Sequence, residues 1–374
     1  MPDEQPKLEY ALMSPGDPVP WPVVRASNNP EFKVSSLGGR YTLLGFFMSA
    51  ADPASQAAIA ALETRPDLFN DDKLTFFGIS CDPEDESQGR VRQIVPGYRY
   101  FFDYDGSMSR SYGVLPSTGE RVARRMWILV DPDMRVRAVF PFRHDGENLG
   151  ELLAYLEGLP PLGLYAGIEI QAPVLYLPRV FEPDFCRHLI SIYETNGGTS
   201  SGFMREIDGK TVVVNDAAHK VRKDFVIEDG NLVNAVQARV RKRIVPEIQK
   251  IHNFAVTHME RYLIGCYTAE DGGHFQAHRD NTTKGTSHRR YAVSINLNND
   301  FEGGELNFPE YGPRTFKPPV GGAVVFSCSL LHMVHRVTRG RRYAFLPFLY
   351  DEAASLQRVA NNPFLADENL HYKG

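Results

Sequence analysis

HFQAHRD (residues 274–280) and GGAVVFSCSLLHMVHRVTRGRRYAF (residues 321–345) are the stretches on which the reading of this chain turns. In the first, His278 and Asp280 stand two apart, and on a strand that spacing sends both side chains to one face. Arg279 between them then points to the outer face. In the second, an apolar run from Ala323 to Phe326 leads to His332 and His335, and Arg341 and Arg342 open another apolar run. Strand alternation lets only one of these arginines share the face of the histidines. A His-x-Asp pair alone is weak evidence, because it arises by chance in many chains.

The surroundings of both stretches read as short strands: HMERYLIGCY, RRYAVSINLN, GGELNFPE and RRYAFLPFLYD, separated by turn residues. Gly303 and Gly304 mark a tight turn. Ahead of them lie two helical segments, 182–198 and 231–254, the second interrupted or bent at Pro246. Its basic run (Arg239, Arg241, Lys242, Arg243) reads as a solvated face. The pattern predicts a β-sandwich or jelly roll behind supporting helices.

Two imidazoles and a carboxylate on one face leave three metal positions open, an arrangement suited to Fe(II) that must also bind a cosubstrate and O2. Zinc accepts similar donors. The accompanying arginine favours iron with a dicarboxylate cosubstrate, since a guanidinium meets a carboxylate through two parallel N–H groups. By residue type alone, His332 and His335 both qualify as the second imidazole. His274 and His288 read as loop or supporting histidines.

The N-terminal half has a different pattern. GGRYTLLGFF (38–47), KLTFFGIS (73–80) and YRYFFD (98–103) are near-continuous apolar runs that suit buried strands, and RMWILVDPDMRVRAVFPF (125–142) suits two strands around a tight turn. A helix begins at Asp52-Pro53, and ENLGELLAYLEGL (147–159) is amphipathic. Strands alternating with helices predict an α/β layer fold. The Pro- and Gly-rich stretch 159–186 is the connection, giving an expected division into domains 1–160 and 161–374.

Composition narrows the partners. The 374 residues, 43% hydrophobic and 23% charged with net charge −5, suit a soluble two-domain protein without a nucleic-acid footprint. No apolar run reaches the roughly 20 residues of a membrane span. The polar start, MPDEQPKLEYALMSPGD, has no signal-peptide pattern, so the expected location is cytoplasmic. The four scattered cysteines form no C-x-x-C pair; Cys186, Cys266 and Cys328 read as small buried hydrophobes. Cys81 follows a strand and is the candidate reactive thiol.

The order YTLLGFF, GISCDP, FFDYDGSMSRSYGV, RMWILVDPDMRVRAV resembles peroxiredoxins of the alkyl-hydroperoxide-reductase type over residues 10–158. The resemblance implies a thioredoxin-like fold and calls for a low-pKa cysteine on the first helical turn, beside a threonine and an arginine. The corresponding stretch, FFMSAADPASQAAI, has no cysteine. Pro53 falls near the threonine position, Gln56 near the cysteine position, and Arg125 matches the arginine. This half is therefore expected to serve docking or stability. A thiol-dependent peroxide reductase or redox sensor acting through Cys81 is the alternative.

Residues 173–352 resemble Fe(II)/2-oxoglutarate dioxygenases of the prolyl 4-hydroxylase catalytic-domain type, with GGEL, the G-x-V-x-F strand and V-T-R-G-x-R in family order. The resemblance implies a double-stranded β-helix fold, with His278, Asp280 and His332 as iron ligands. It favours His332 over His335 because Arg342, which it assigns to the cosubstrate's far carboxylate, follows His332 by ten positions. Tyr267 matches a tyrosine that touches 2-oxoglutarate. The implied cofactors are Fe(2+), 2-oxoglutarate and O2, with L-ascorbate as reductant. The implied reaction is hydroxylation of a C–H bond, on a prolyl or other amino-acid side chain of a protein, peptide or small molecule, with release of succinate and CO2.

Overall fold

The structure is a computed structural model that describes residues 9–118, 122–143, 148–164 and 168–372. Residues 1–8 of the polar start and 165–167 of the connection lie outside the described residues. By contacts the chain divides into two compact units, Met1–Gln171 with Pro309–Pro313, and Ala172–Phe308 with Arg314–Gly374.

The first unit is built on a seven-stranded mixed sheet, in the order Asn29–Lys33, Val23–Ala26, Tyr98–Phe102, Leu74–Ser80, Tyr41–Met48, Met126–Val130, Val136–Pro141. The three apolar runs read from the sequence form its parallel centre. Their side chains divide by parity between two cores, as the period-2 pleat requires. Leu43, Phe76, Tyr100 and Trp127 lie in one, and Leu44, Phe77, Phe101 and Ile128 in the other. Burial on both faces is why these strands read as continuous rather than alternating runs. Helix Pro53–Glu63 begins as its sequence predicts, with Asp52 accepting from the Ser55 backbone N–H and proline in the first turn.

The second unit holds a nine-stranded and a five-stranded antiparallel sheet. The nine-stranded sheet is apolar on one face, where Ile264, Val293, Ile295, Phe345 and Leu349 pack with Leu189, Val236 and Ile248 of the helices Pro183–Asn196, Gly230–Arg243 and Val245–His252. Each such side chain, fully buried, contributes roughly 1.5–3 kcal/mol. The helical pair breaks just before Pro246, as expected. The other face meets the five-stranded sheet: Phe326 touches the His332 ring at 4.6 Å and the Phe308 ring at 4.9 Å.

Three expectations need correction. HMERYLIGCY is two strands, His258–Glu260 and Leu263–Thr268, because Arg261 between them has φ +67. The basic run is only partly a solvated face. Arg239 and Arg243 both grip Glu182, and Arg239 lies 3.8 Å over the Phe185 ring. Asp280 lies beyond the end of strand His274–His278, so strand alternation does not orient it.

Candidate metal and cosubstrate site

His278 ends its strand directly opposite His332, the first residue of strand His332–Val334, with a bulge between Phe275 and His278. The imidazole centres stand 4.3 Å apart. The turn bearing Asp280 is held by its own backbone: the Asp280 N–H donates to the Cys328 carbonyl at 3.0 Å. Arg279 donates to the Ser329 carbonyl and Asn281 to the Ser329 hydroxyl. Arg279, expected as an outer-face residue, is buried against this loop, not exposed.

Asp280 Oδ1 lies 3.6 Å from His278 Nε2, and Oδ2 lies 3.3 Å from His332 Nε2. One ligand atom from each of the three residues falls within 4.8 Å of the others. The Nδ1 of His278 contacts the Gln276 carbonyl at 2.7 Å and that of His332 the Leu330 carbonyl at 3.0 Å. A carbonyl only accepts, so each Nδ1 carries the proton and each Nε2 turns a lone pair inward. Lone pairs of two imidazoles and a carboxylate thus converge with no donor among them. Burial costs such a cluster several kcal/mol unless a cation joins it. The same crowding shows in acidity. Burial pushes His332 down to about 4, assisted by the facing His278. Burial would push the Asp280 carboxyl up, and it is the protonated forms of the His332 and His278 rings, with Arg289, that hold it well below the usual range.

His335 is outside this cluster, and its backbone N–H bonds the Glu305 carbonyl. His274 is buried between the Gly272 and Ala218 carbonyls, and His288 lies 3.2 Å from Glu260. Glu260 also holds Arg289 at 2.7 Å and Arg358 at 2.8 Å.

Strand Arg341–Phe345 alternates as expected. Tyr343 and Phe345 join the helix-side core. Arg341, exposed at the end of the strand, lies 3.4 Å from Glu194. Arg342 turns the other way and is only 2% exposed. Its Nε donates to Asn296 Oδ1 at 3.1 Å and its Nη2 to the Ser294 hydroxyl at 2.8 Å. Asn296 is itself fixed, because its Nδ2 donates to the Pro318 carbonyl. The Nη1 of Arg342 is buried and has no partner. Tyr267 is the cross-strand neighbour, with the Arg342 guanidinium 5.4 Å from its ring centre. The Tyr267 hydroxyl accepts from Arg222 at 3.3 Å. A Cβ on Gly304 would sit 3.2 Å from Arg342 Cδ, so glycine leaves room for the stem.

Ser294 and Asn296 were missed at the level of sequence. Their signal was present: two polar residues at i and i+2 in the otherwise apolar YAVSIN. Arg222 and Phe275, whose ring stacks 3.5 Å from that of His278, were missed as well.

In the first unit, Gln56 is exposed. It is Ser55 that meets Arg125: the guanidinium reaches the Ser55 hydroxyl at 3.1 Å and Asp52 Oδ2 at 2.7 Å. Cys81 lies elsewhere, its Sγ 3.6 Å from the Ser109 hydroxyl and 3.9 Å from Asp103. The other three cysteines are buried and free, as expected.

Comparison with known proteins places these features. Residues 258–350 match the model of the 2OG-Fe(II) oxygenase superfamily, and residues 15–139 match that of the AhpC/TSA family. A PKHD-type hydroxylase of Pseudomonas fluorescens is 30% identical over 182 residues, which cover 46% of this chain and 75% of the relative. The chain belongs to the PKHD-type hydroxylases. It is therefore a 2-oxoglutarate-dependent dioxygenase carrying an additional AhpC/TSA domain. Against a second hydroxylase of this type, from another P. fluorescens strain, the identity is 38% and the match spans 39% of that relative's length. Among solved structures, a Pseudomonas putida prolyl-4-hydroxylase aligns with TM-score 0.37 and 15% identity over 51% of this chain and 96% of its own. A Xanthomonas campestris peroxiredoxin Q aligns with TM-score 0.32 and 15% identity over 37% and 95%. No helix among the described residues is long and apolar enough to cross a membrane.

Proposed function

We propose that His278, Asp280 and His332 hold Fe(II), and that Arg342 binds the far carboxylate of 2-oxoglutarate with Tyr267 as the adjoining wall. The observation that carries this reading is the pairing of two incomplete sites in one interior. A cluster of inward lone pairs lacks a cation, and a buried guanidinium nitrogen lacks an acceptor. A buried charged donor left without a partner costs more than the roughly 1–3 kcal/mol of a neutral one, so both defects fit residues built to receive a metal and a dicarboxylate. Ser294 and Asn296 hold the guanidinium fork in place, so that little ordering remains when the carboxylate arrives. Zinc would satisfy the lone pairs but not Arg342.

Iron and 2-oxoglutarate, when bound, would supply the chemistry by which O2 gives one oxygen atom to a C–H bond as hydroxyl and the other to succinate, with CO2 released. The side chains of Phe275, Phe326 and Phe308 wall the histidines and exclude water. We read the two antiparallel sheets as a double-stranded β-helix. The target is a prolyl or other amino-acid side chain, and L-ascorbate is the reductant that restores Fe(II) after turnovers without substrate. Both points rest on the family resemblance.

The first unit, with Ser55 and Asp52 beside Arg125 in place of a thiol, is proposed as a docking module. Deleting residues 1–160 should spare 2-oxoglutarate turnover without substrate and weaken turnover of the true substrate; equal loss of both would count against docking. For the site itself, anaerobic Fe(II) and 2-oxoglutarate should give the visible charge-transfer band of the chelate. The reading fails if the wild type shows no band, or if His278→Ala leaves it unchanged.

A further inference from the structure

Beside the proposed iron site lies a second group of charges that neither metal nor cosubstrate uses. Lys220, in the two-residue strand Lys220–Val221, is paired across the ladder with Phe275. Its Nζ stands 4.9 Å from the centre of the Phe275 ring, whose other neighbour is the His278 imidazole at 3.5 Å. Lys220 is 7% exposed. Two of its three N–H groups are used, on the Ser201 hydroxyl at 2.7 Å and the Gly202 carbonyl at 2.6 Å. The same Ser201 hydroxyl accepts from Arg222 at 3.3 Å and donates to Asp224.

Charge in this group does not balance. Arg222 grips Asp224 with Nε at 2.6 Å and Nη2 at 2.7 Å, and Arg261 reaches the same carboxylate at 3.5 Å. Besides Asp224, Asp280 acts on Lys220 and Glu260 on Arg261, but Glu260 already holds Arg289 and Arg358 and Asp280 faces the two histidines, so cations still outnumber the carboxylates free to meet them. An excess of buried cations is destabilising unless an anion completes it. Lys220 and Arg222 also line a cavity of about 480 Å³, whose two carboxylates are engaged, Asp271 by Lys223 at 3.0 Å and Asp216 by the Ala218 N–H at 2.9 Å. A cavity of that size holds a small molecule or the end of a peptide.

Resting on the iron and 2-oxoglutarate assignment above, we propose that Lys220 and Arg222 form a carboxylate subsite for the substrate. The enzyme then hydroxylates a molecule bearing an acid group close to the reacting C–H, either a free amino-acid derivative or a peptide C-terminus. Burial, with the neighbouring Arg222 and Arg261, pushes the Lys220 amine down to about 5 against the opposing pull of Asp224 and Asp280, and a further anion in the cavity would favour its charged form. Arg222 connects this subsite to Tyr267 and so to the wall of the cosubstrate site.

The probe pair is N-acetyl-L-proline and N-acetyl-L-prolinamide, titrated calorimetrically into full-length protein loaded with Mn(II) and N-oxalylglycine. Wild type should bind the acid at least tenfold more tightly than the amide. Lys220→Met should abolish that preference and Lys220→Arg should keep most of it. Equal binding of acid and amide by wild type, or binding of neither, overturns the subsite. The Fe(II)–2-oxoglutarate band measures the cosubstrate separately. Absence of the band in wild type defeats the iron reading itself. A tenfold rise of the 2-oxoglutarate Kd in Lys220→Met would instead assign the cluster to the cosubstrate and overturn the proposal. Thermal melting supplies the control for folding. A cation lacking its anion predicts that ligand-free Lys220→Met melts no lower than wild type, whereas a drop of several degrees would make Lys220 a brace for Ser201 and Gly202.

Discussion

Replacing Arg342 with methionine tests the cosubstrate assignment most directly. The guanidinium is buried, two of its nitrogens are committed to Asn296 and Ser294, and the third is unpartnered. The variant removes a charge-assisted contact to the far carboxylate inside the protein. Truncating one partner of such a buried pair costs about 2–5 kcal/mol. At about 1.4 kcal/mol per factor of ten, the 2-oxoglutarate Kd should rise from roughly 30-fold to a few thousandfold. The folded state bears a separate cost. Methionine fills most of the stem's volume, while the two abandoned acceptors cost about 1–3 kcal/mol each, offset by removal of a buried cation. Anaerobic titration of the charge-transfer band gives the Kd, and a thermal melt without cosubstrate gives the stability. A Kd within threefold of wild type in a folded variant would refute the assignment, and so would an equal effect from Arg341→Met, whose side chain lies at the surface beside Glu194.

Four further outcomes follow from the geometry. His278→Ala and His332→Ala should each weaken Mn(II) binding by about 100-fold or more, measured by calorimetry, while His335→Ala should leave it within a few fold. Glu260→Gln leaves Arg289 and Arg358 without their carboxylate and should destabilise the protein by about 3–5 kcal/mol in urea unfolding, whereas a loss below 1 kcal/mol would contradict the buried-hub reading. His219 and His332 are both pushed down to about 4 by burial, below their unfolded value near 6.5. The folded state then binds fewer protons than the unfolded state between those pH values, so metal-free protein should lose stability as pH falls from about 6.5 towards 4, and a flat profile would disprove this. Cys81→Ser should leave 2-oxoglutarate turnover unchanged, and a peroxide-consuming activity that vanishes in this variant alone would revive the thiol-peroxidase alternative.

The proposed site residues were legible where periodicity governs their direction. Strand period two put Arg341 and Arg342 on opposite faces, and the family resemblance chose Arg342, the one the structure buries. The buried parallel strands of the first unit were legible for a related reason, since burial on both faces leaves an unbroken apolar run. Asp280 illustrates the limit. Its orientation comes from hydrogen bonds to Cys328, not from strand alternation, and such loop contacts join residues far apart in sequence. The meeting of Ser55 with Arg125 carried no signal in the sequence, because the fold, not residue counting, decides which side chain reaches the guanidinium. Lys220 and Arg222 carried no local signal, because basic residues on a short polar segment ordinarily face solvent.

The face-to-face pairing of His278 with His332 has a consequence for folding as well as for metal binding. Sliding strand His274–His278 by one residue against strand His332–Val334 would turn one imidazole to the far side of the sheet and break the three-point cluster. Any ion held there binds only the correctly paired ladder. At a free concentration one hundred times its Kd it favours that pairing by about 2.7 kcal/mol. The strand Lys220–Val221, which pairs with this ladder and has only two residues, benefits equally. On the proposed assignment the metal would act as a register lock, and iron starvation should loosen the short five-stranded sheet, detectable as faster amide exchange there, before it disturbs the helix-backed nine-stranded one.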